Sequence, residues 1–426
     1  MTDKILTLPN SLWNATAEPF TAVDCLKGNI ETDLVIVGAG YTGLSTALHS
    51  IDSIKDIVII DQMQPGWGCS GRNGGQINPQ WKPPLSTLQQ LFPGDTFNAF
   101  IDTVNQSAQL VFDMIERYQI SCEVHRNGSI IPGKGRKAIR YLTEWSHFWQ
   151  DYGVEVELLD AKETALLIGT SSYDLCMLDP RGGSLQPLSY SRGLARACQQ
   201  HGIKIFGDTK ANNIASEGGG WLISTYHGRI KCKRLVLATN GYTDGLWPGL
   251  ARTIIPVISM LTATRSLPAE LVDRIIPGRQ PVAEYAGVPA YYRIDESNRL
   301  VFGWRGTVYG GMGSLDTAHL KSRAIRLFPQ IASVEWEFDW AGYVGITSHQ
   351  RPLLLELGDN AFAGLGYNGR GITMATMMGR QLALALTHQP TGIPIGPLET
   401  VPFHPFYPLG VSARIVSGHV RDYLNR

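Results

Sequence analysis

Two buried strands joined by a glycine turn constrain the fold of this chain more than any other feature of its sequence. Residues 33–40 carry a continuous apolar run that ends in glycines, and residues 56–61 carry a second run that ends in an acid. Continuous hydrophobicity, rather than alternation, is typical of parallel strands covered on both faces. A short helical pattern lies between the two runs, so the sequence predicts a β-α-β unit.

The turn after the first strand has the pattern G-x-G-x-x-G, formed by Gly38, Gly40 and Gly43 with Tyr41 and Thr42 between the last two. The first glycine permits a tight turn, the second lets the backbone approach a pyrophosphate, and the third lets helix and strand pack closely. The free amides and the positive dipole at the start of the helix suit phosphate groups. The turn therefore predicts a dinucleotide site, and an ordinary strand-to-helix turn is the alternative.

An acid follows the second strand at the position where such sites bind ribose. Asp61 lies 23 residues after Gly38, near the spacing of the carboxylate that accepts hydrogen bonds from the adenosine ribose. Gln62 follows it and is included in the predicted site. Because a carboxylate here repels a 2′-phosphate, the motif favours FAD or NAD over NADP.

A second glycine-rich segment, 66–76, begins a few residues later and contains five glycines, one arginine and no acid. Glycines let backbone amides face phosphate and ring atoms without obstruction by side chains. We expect this segment to meet the second half of the dinucleotide, with Arg72 neutralising phosphate charge or forming the floor of the site. An ordinary glycine-rich surface loop is the alternative. The predicted binding residues here are Gly68, Ser70, Gly71, Arg72, Asn73, Gly74, Gly75 and Gln76.

A third glycine loop, 364–371, precedes a long helix that begins near Ile372. The N-terminus of that helix would place amides and a positive dipole beside a cofactor carbonyl that gains negative charge on reduction. A capped core helix without this role is the alternative.

Composition narrows the function classes. The chain has 426 residues, a net charge of zero and 43% hydrophobic residues, which suits a large core and gives nothing global to attract nucleic acid or an anionic membrane. The six scattered cysteines form no C-x-x-C pair, so we expect reduced thiols and no metal site. The sequence has neither a signal-peptide pattern nor an apolar run of membrane-spanning length, so we expect a cytoplasmic protein without a membrane span.

The order of the patterns predicts an α/β fold (α+β overall) with a discontinuous nucleotide domain. An apolar strand at 234–241 and a strand, loop and helix from residue 361 are of the parallel type, whereas aromatic alternating strands at 254–344 indicate an antiparallel sheet. The pattern from 91 to 149 is helical with polar gaps. We expect the nucleotide domain to comprise 1–90, 150–250 and 346–426, and an interleaved second domain to comprise 91–149 and 251–345.

Together these stretches resemble the D-amino-acid-oxidase-like superfamily of FAD oxidoreductases, and they look most like its gamma-glutamylputrescine oxidoreductase branch. The segments that carry the resemblance run in family order over nearly the whole chain, and G-x-S-G-R-N-G-G is the most branch-specific of them. They are DLVIVGAGYTGLSTALH, GWGCSGRNGGQ, GGSLQPLSYSRGLARA, LVLATNGY, YYRIDESNRLVFGWRGTVYGG, FDWAGYVGIT and LGYNGRGITMATMMGRQLA.

The resemblance implies a Rossmann-like FAD-binding domain and an interleaved substrate domain whose mostly antiparallel sheet lies over the flavin. It implies oxidation of a C–N bond in a small amine or amino acid by hydride transfer to flavin N5, after which water hydrolyses the imine. Dioxygen usually reoxidises the flavin and gives hydrogen peroxide in this superfamily. A gamma-glutamylputrescine-like amine is the first expectation for the substrate. A secondary or cyclic amino acid such as pipecolate or an iminodiacid, another electron acceptor, a flavoprotein without turnover, and a nicotinamide-dependent dehydrogenase remain alternatives.

The resemblance also assigns residues by their positions in the motifs. It implies the ADP half of FAD at the first turn and Asp61, the pyrophosphate-to-flavin region at 70–76, and the flavin pyrimidine edge at the third loop. Tyr291, Arg293 and Arg305 lie on strands expected to face the substrate and, with Arg370, are candidate catalytic residues. Core packing of the tyrosine and solvation of the arginines are the alternatives. The remaining implied cofactor residues are Thr239, Asn240, Gly241, Gly366, Gly369, Arg370, Gly371, Ile372 and Thr373.

The chain departs from the family pattern at two positions that matter for the substrate. In glycine oxidases of the superfamily an arginine after W-A-G clamps the substrate carboxylate, and Val344 stands there in this chain. A second arginine is displaced, because the last loop reads Asn368-Gly369-Arg370. A simple α-amino acid is therefore less favoured, although Arg370 or Arg305 could replace the clamp. Some relatives attach the flavin covalently through cysteine or histidine, and Cys69 lies in a flavin-proximal motif where alanine is commoner. A packed thiol is the favoured interpretation.

Overall fold

Residues 8–305 and 315–413 of the computed structural model are described, and they form two large sheets flanked by helices. The strands are β1 Ile30–Val37, β2 Ile57–Ile60, β3 Gln76–Ile77, β4 Ser129–Gly133, β5 Glu157–Asp160, β6 Leu175–Asp179, β7 Gly183–Ser184, β8 Lys204–Phe206, β9 Asn213–Glu217, β10 Gly220–Ser224, β11 Arg229–Leu237, β12 Ile255–Thr264, β13 Val282–Ala283, β14 Tyr291–Ile294, β15 Leu300–Arg305, β16 Trp336–Ile346, β17 Leu353–Gly358, β18 Ala361–Leu365 and β19 Ile395–Gly396. The helices are α1 Leu12–Thr16, α2 Tyr41–Ser50, α3 Leu85–Leu91, α4 Asp95–Arg117, α5 Gly135–Asp151, α6 Ala161–Ile168, α7 Pro187–Gln200, α8 Ala269–Val272, α9 Ala318–Leu327 and α10 Gly371–Leu386.

The first sheet is parallel at its centre. Its strands follow the order β19-β17-β18-β11-β1-β2-β8, with β10 and β9 added beside β11. Val37 at the end of β1 pairs with both Ile60 and Leu237, so β1, β2 and β11 end at the same edge. The segments that begin with Gly38 and Asp61 therefore leave the sheet side by side, which is where open α/β sheets bind ligands.

Helices α2 and α10 cross closely on one face of the first sheet, and α4 and α7 pack beside them. Gly379 makes the crossing possible, because a Cβ at this position would lie 2.6 Å from the amide nitrogen of Thr46. The apolar core of this unit lies between these helices and the strands. The crossing brings the N-termini of α2 and α10 to the same end of the molecule.

The second sheet is mostly antiparallel, in the order β16-β12-β15-β14-β13-β4-β6-β5, with only the β13–β4 pair parallel among the described strands. Helix α9 covers its outer face, where Tyr292 stacks on Phe302 and meets Phe328 edge-on. The inner face turns toward the first sheet. Trp13 of the short N-terminal helix α1 packs there against Trp340, with ring centroids 5.7 Å apart.

The α/β class and the discontinuous, interleaved arrangement are confirmed. The structure differs from the sequence expectation in two places. The helical region expected at 91–149 is interrupted by β4. In the second sheet β6 pairs with β4 and β5 pairs with β6, although the sequence predicts that 150–250 belongs to the nucleotide domain. These strands have at most five residues, and β4 is buried throughout, so no alternation marks them. The five-segment division of the domains stays a prediction.

Three further observations concern classes of site. All six cysteines are free thiols, and burial raises the pKa of Cys69 to about 11. Within 8–305 and 315–413, no helix is long and apolar enough to cross a bilayer. The same ranges contain no cluster of three or more histidine, cysteine, aspartate or glutamate side chains placed to bind a metal ion.

Candidate functional site

One elongated cavity runs from the end of β1 to the inner face of the second sheet. Most of the predicted cofactor residues line it, although five do not: Gly43, Gly71, Gly75, Gly366 and Thr373. Those that do are Gly38, Gly40, Tyr41, Thr42, Asp61, Gln62, Gly68, Ser70, Arg72, Asn73, Gly74, Gln76, Thr239, Asn240, Gly241, Gly369, Arg370, Gly371 and Ile372. The structure thus brings the three glycine loops to one cavity.

The turn into α2 leaves bare backbone facing the cavity. Gly38 has φ +117°, and a Cβ there would lie 2.7 Å from the carbonyl oxygen of Ala238. A Cβ on Gly43 would overlap the carbonyl of Gly38, so this glycine shapes the turn without lining the cavity. Helix α2 begins at Tyr41 after Gly40, which has no side chain to cap it, and the Tyr41 amide donates to Ser70 Oγ of the second glycine loop at 3.0 Å. Such a cradle fits the pyrophosphate of a dinucleotide.

Asp61 is held beside this turn by two backbone amides. Its carboxylate accepts hydrogen bonds from the amide of Ala39 at 2.7 Å and from that of Met63 at 2.8 Å. Burial raises the pKa of Asp61 to about 6, an effect that the nearby Asp208 increases and the two amides oppose. The carboxylate lines the cavity, so it is placed to accept hydrogen bonds from ribose hydroxyls.

The second glycine loop is held from outside by four donors, which we call the loop clasp. The carbonyls of four consecutive residues are engaged: Arg72 by Trp340 Nε1 at 2.9 Å, Asn73 by Trp13 Nε1 at 2.7 Å, Gly74 by Arg293 Nε at 3.1 Å, and Gly75 by the amide of Leu185 at 2.9 Å. A trans peptide points its C=O and the next N–H in opposite directions. The clasp on the carbonyl of Asn73 therefore turns the Gly74 amide away from Trp13, and within the described residues this amide has no hydrogen-bond partner.

Arg72 forms part of the cavity wall rather than a mobile counter-charge. Its guanidinium donates to the carbonyls of Trp67 at 2.7 Å and Ala341 at 3.3 Å and lies 4.3 Å from the centre of the Trp67 ring. Burial lowers its pKa. Of the two roles expected from the sequence, this geometry matches the floor of the site.

Polar side chains of the same loop fix its shape. The Asn73 amide donates to the carbonyls of Cys69 and Ser70, and its oxygen accepts from the amide of Gly75. Tyr41 donates to the carbonyl of Ser70 at 2.6 Å, and Gln76 reaches the second sheet at the carbonyl of Val282 at 3.0 Å. Because the loop is tied both to α2 and to the second sheet, it joins the two units.

The third glycine loop brings a second helix N-terminus to the cavity. Helix α10 begins at Gly371 without a side-chain cap on its first amides. Asn240 Oδ1 accepts from the amide of Gly366 at 3.0 Å, and Thr373 donates to the carbonyl of Asn78 at 3.0 Å. Gly366 and Thr373 therefore support the loop from behind, whereas Gly369 to Ile372 line the cavity.

The inner face of the second sheet closes the other side. Tyr291 on β14 lies across β15 and its hydroxyl is 2.7 Å from Ser259 Oγ on β12. This path exists because β15 carries Gly303, where any Cβ would overlap the Tyr291 ring. A Cβ on Gly74 would lie 2.8 Å from the same ring. Tyr291 thus lies between the sheet and the glycine loop, and Val344 lines the cavity nearby.

The other candidate substrate residues are placed differently. Arg293 is 1% exposed, does not line the cavity, and donates from its guanidinium to the carbonyls of Gly74 and Leu185. It belongs to the loop clasp, so the expectation that it faces the substrate is corrected here. Arg305 ends β15, where its backbone pairs with Ser259, and its side chain lies outside the described residues. Arg370 lines the cavity at the start of α10.

Several lining residues were missed by the sequence interpretation. Asn78 and Lys82 line the cavity from the segment after β3, Tyr242 from the short helix Asn240–Tyr242, and Ser259 and Leu261 from β12. Of these residues, only Ser259 and Leu261 could be placed from the sequence, because they alternate along a predicted strand. The Oδ1 atom of Asn78 is buried and has no hydrogen-bond partner within the described residues, so it is available to a bound N–H group.

Comparison with known proteins accounts for this arrangement. The model of the FAD dependent oxidoreductase family, DAO, matches residues 33–385. The chain belongs to this family. Its cofactor is FAD, and the uncapped start of α10, the bare glycine turn and the buried acceptor on Asn78 fit that group. As a member of the family, the protein is an oxidoreductase.

Relatives of this FAD dependent oxidoreductase span nearly its whole length. Gamma-glutamylputrescine oxidoreductase of Escherichia coli is 29% identical over 377 residues, covering 88% of each chain. Glycine oxidase of Geobacillus kaustophilus has a solved structure with a TM-score of 0.72 at 21% identity, covering 85% of this chain and 96% of that one. L-proline dehydrogenase of P. horikoshii also has a TM-score of 0.72, at 18% identity, covering 87% and 96%. The two structures share the fold.

Proposed function

We propose that the protein oxidises a C–N bond in a small amine or amino acid, with a gamma-glutamylputrescine-like amine as the first candidate substrate and dioxygen as the electron acceptor. The observation that carries this proposal is the single cavity joining three cofactor loops to an antiparallel sheet wall at Tyr291. The relative from E. coli named gamma-glutamylputrescine oxidoreductase supports the choice of substrate. Bound FAD supplies the electron-accepting chemistry, and the protein supplies position and electrostatics.

The chain's own residues divide this work. Gly38, Gly40 and Asp61 would hold the ADP half of the cofactor, and the clasped glycine loop would hold the region near the flavin. The hydroxyls of Tyr291 and Ser259, bonded to each other at 2.7 Å, would orient the substrate against the sheet.

The cavity offers no strong free base among its described lining residues. No histidine of the described ranges lines it. Of its carboxylates, Asp61 accepts from two backbone amides, Asp244 lies 3.5 Å from Lys210 Nζ, and Glu284 accepts from Arg323 and from Tyr173, each at 2.6 Å. The oxidation of a neutral amine does not require a base from the protein, so a cavity without a free base suits amine substrates. Exclusion of water by the buried glycine loop would protect the reaction.

A secondary or cyclic amino acid such as pipecolate is the second candidate. Val344 leaves the cavity without the arginine that clamps carboxylates in glycine oxidases, but Arg370 places another guanidinium in the same cavity. Amines that carry a carboxylate therefore stay among the candidate substrates.

Turnover with a panel of amines tests the proposal. Oxygen uptake and hydrogen peroxide would be followed with gamma-glutamylputrescine, putrescine, pipecolate, iminodiacetate, sarcosine, glycine and D-alanine. We expect uptake and peroxide to match in amount for at least one amine. Reduction of an artificial dye without oxygen uptake would mean that the protein is a dehydrogenase rather than an oxidase. The absence of turnover with every acceptor would contradict amine oxidation.

A further inference from the structure

Segment 401–413 exposes large apolar side chains to solvent. Phe403 is 84% exposed, Phe406 is 64% exposed and Leu409 is 63% exposed. Among the described residues, no other segment of this length exposes more than one large apolar side chain to a comparable extent. Single exposed apolar residues are normal on a protein surface, whereas a group of them at three-residue spacing indicates a surface that binds another apolar phase.

The backbone of this segment is held in a conformation that exposes Phe403. The amide of Val401 donates to the carbonyl of Arg252 at 2.8 Å, and His404 Nε2 donates to the carbonyl of Ile254 at 2.9 Å. Between these two anchors Phe403 has φ +55°, a left-handed conformation that is unfavourable for a bulky residue. Its ring gains little burial within the chain, so burial of the ring in an external apolar phase would compensate this cost.

The charges that flank the segment are mostly basic. Segment 401–413 itself contains no Asp, Glu, Lys or Arg. Arg252 is exposed beside its first residue, and residues 414–426, which follow it in the sequence, contain three arginines and one aspartate. The acid that precedes it, Glu399, pairs with Arg351 at 3.5 Å. The segment therefore combines exposed apolar side chains with a local excess of positive charge, although the net charge of the chain is zero.

The segment also lies beside β16, the strand at one end of the second sheet. Burial raises the pKa of Tyr407, and the nearby Tyr343 on β16 adds to this effect. Gly342 and Val344, on either side of Tyr343, line the cavity. A surface bound at this segment would therefore adjoin the side of the cavity that β16 forms.

We propose that segment 401–413 inserts its apolar side chains into the surface of an anionic lipid bilayer, so that the enzyme binds membranes peripherally. Apolar side chains beside basic residues match the acyl boundary and the anionic head groups of such a surface. A second copy of this chain would bring the same arginines to the contact, and like charges oppose that pairing. The inference does not depend on the proposed amine oxidation.

Vesicle flotation measures this contact without turnover. The purified holoenzyme would be mixed with vesicles of phosphatidylcholine and phosphatidylglycerol in equal amounts and, separately, with vesicles of phosphatidylcholine alone. We expect the protein to float with the anionic vesicles, to float much less with the neutral ones, and to bind less as salt is added. Wild-type protein that floats with neither kind of vesicle overturns the proposal.

Substitution of the two phenylalanines tests the segment itself. Phe403→Ser combined with Phe406→Ser should weaken binding to the anionic vesicles about tenfold or more, because two apolar rings are lost from the contact. Leu166→Ser combined with Tyr226→Ser is the matched control, since both of these side chains are strongly exposed in other segments, and it should bind like the wild type. Phe406→Trp keeps a large aromatic ring and should retain binding.

A charge variant keeps the test available if the double serine variant fails to fold. Arg252→Gln removes an exposed charge beside the segment and leaves both phenylalanines in place. It should weaken binding to the anionic vesicles about fivefold and leave FAD content unchanged.

The remaining outcomes identify any other occupant of the segment. Equal flotation of the wild type and the double serine variant overturns the assignment of the contact to this segment. Sedimentation velocity would be measured on the same proteins without lipid. A wild-type dimer that the double variant converts to monomer, with flotation of neither protein, shows that a second copy covers the segment and overturns the lipid contact.

Discussion

The carboxylate of Asp61 couples cofactor binding to pH. Its pKa in the folded apoprotein is about 6, above its ordinary value of 3.8, because it is withdrawn from water. This group therefore stabilises the apoprotein fully below about 3.8 and loses that effect as pH rises through 6. Ribose binding needs the ionised form, so FAD affinity should fall up to tenfold for each pH unit below 6.

Fluorescence titration of the apoprotein with FAD between pH 5 and 7.5 measures this effect. Asp61→Asn is the control, since it cannot ionise: it should bind FAD more weakly at pH 7.5 and show little change toward pH 5. A wild-type affinity that stays constant over this range would show that Asp61 does not hold the ribose.

Tyr291 provides a second residue-scale prediction. Tyr291→Phe removes the hydroxyl that bonds Ser259 while keeping the ring between Gly303 and Gly74. Loss of one such hydrogen bond is worth about 0.5–1.5 kcal/mol, so kcat/KM should fall roughly two- to tenfold with FAD content unchanged. Tyr226→Phe, at an exposed tyrosine, is the control for the substitution itself. Unchanged kcat/KM in both variants would remove Tyr291 from the substrate wall.

Tyr291 and Arg293 also show how far the sequence predicts individual residues. Alternation along β14 correctly puts both on one face of the sheet. How far the cavity extends along this face decides which of the two residues lines it. Tyr291 lines the cavity, whereas Arg293 lies under the glycine loop. That extent depends on where a distant segment, 72–75, crosses the sheet, and no local pattern carries this information.

At the scale of elements, the loop clasp links the short helix α1 to the cofactor site. Trp13→Phe deletes the donor to the carbonyl of Asn73 and keeps most of the ring that packs on Trp340. The unpaired carbonyl should loosen the loop by about 1–2 kcal/mol, which corresponds to a five- to thirtyfold weaker FAD affinity. The change in Kd and in the visible circular dichroism of the flavin would report it.

The control for this variant uses another tryptophan. Trp221→Phe also deletes an indole donor, the one to the carbonyl of Asp359 at 3.0 Å, but on the outer part of the first sheet. Its FAD affinity should match that of the wild type. Equal losses in both variants would mean that general destabilisation, rather than the clasp, weakens FAD binding.

Elements differ in how well the sequence predicts them. β1 and β11 end in continuous apolar runs, β2 and β18 are short apolar strands, and each is predicted near its place. β4 lies between the amphipathic helices α4 and α5 and is too short to show a period of its own, so the helical pattern on both sides hid it. The starts of α2 and α10 are predicted from the sequence because glycines precede each of them directly.

At the scale of the whole molecule, the chain passes repeatedly between the two sheets. β1 and β2 belong to the first sheet, β4 to β6 to the second, β8 to β11 to the first, β12 to β16 to the second, and β17 to β19 to the first. The cavity lies where these passages meet, so its cofactor loops and its substrate wall come from segments far apart in sequence. A ligand bound there contacts both units and should stabilise them together.

Cofactor and reaction are tested together by the visible spectrum of the purified protein, followed without oxygen as each amine of the panel is added. We expect a yellow protein with a flavin spectrum that one amine bleaches. A yellow protein that no amine bleaches would contradict amine oxidation while keeping the cofactor. A colourless protein that takes up no added FAD would contradict the assignment of all three glycine loops.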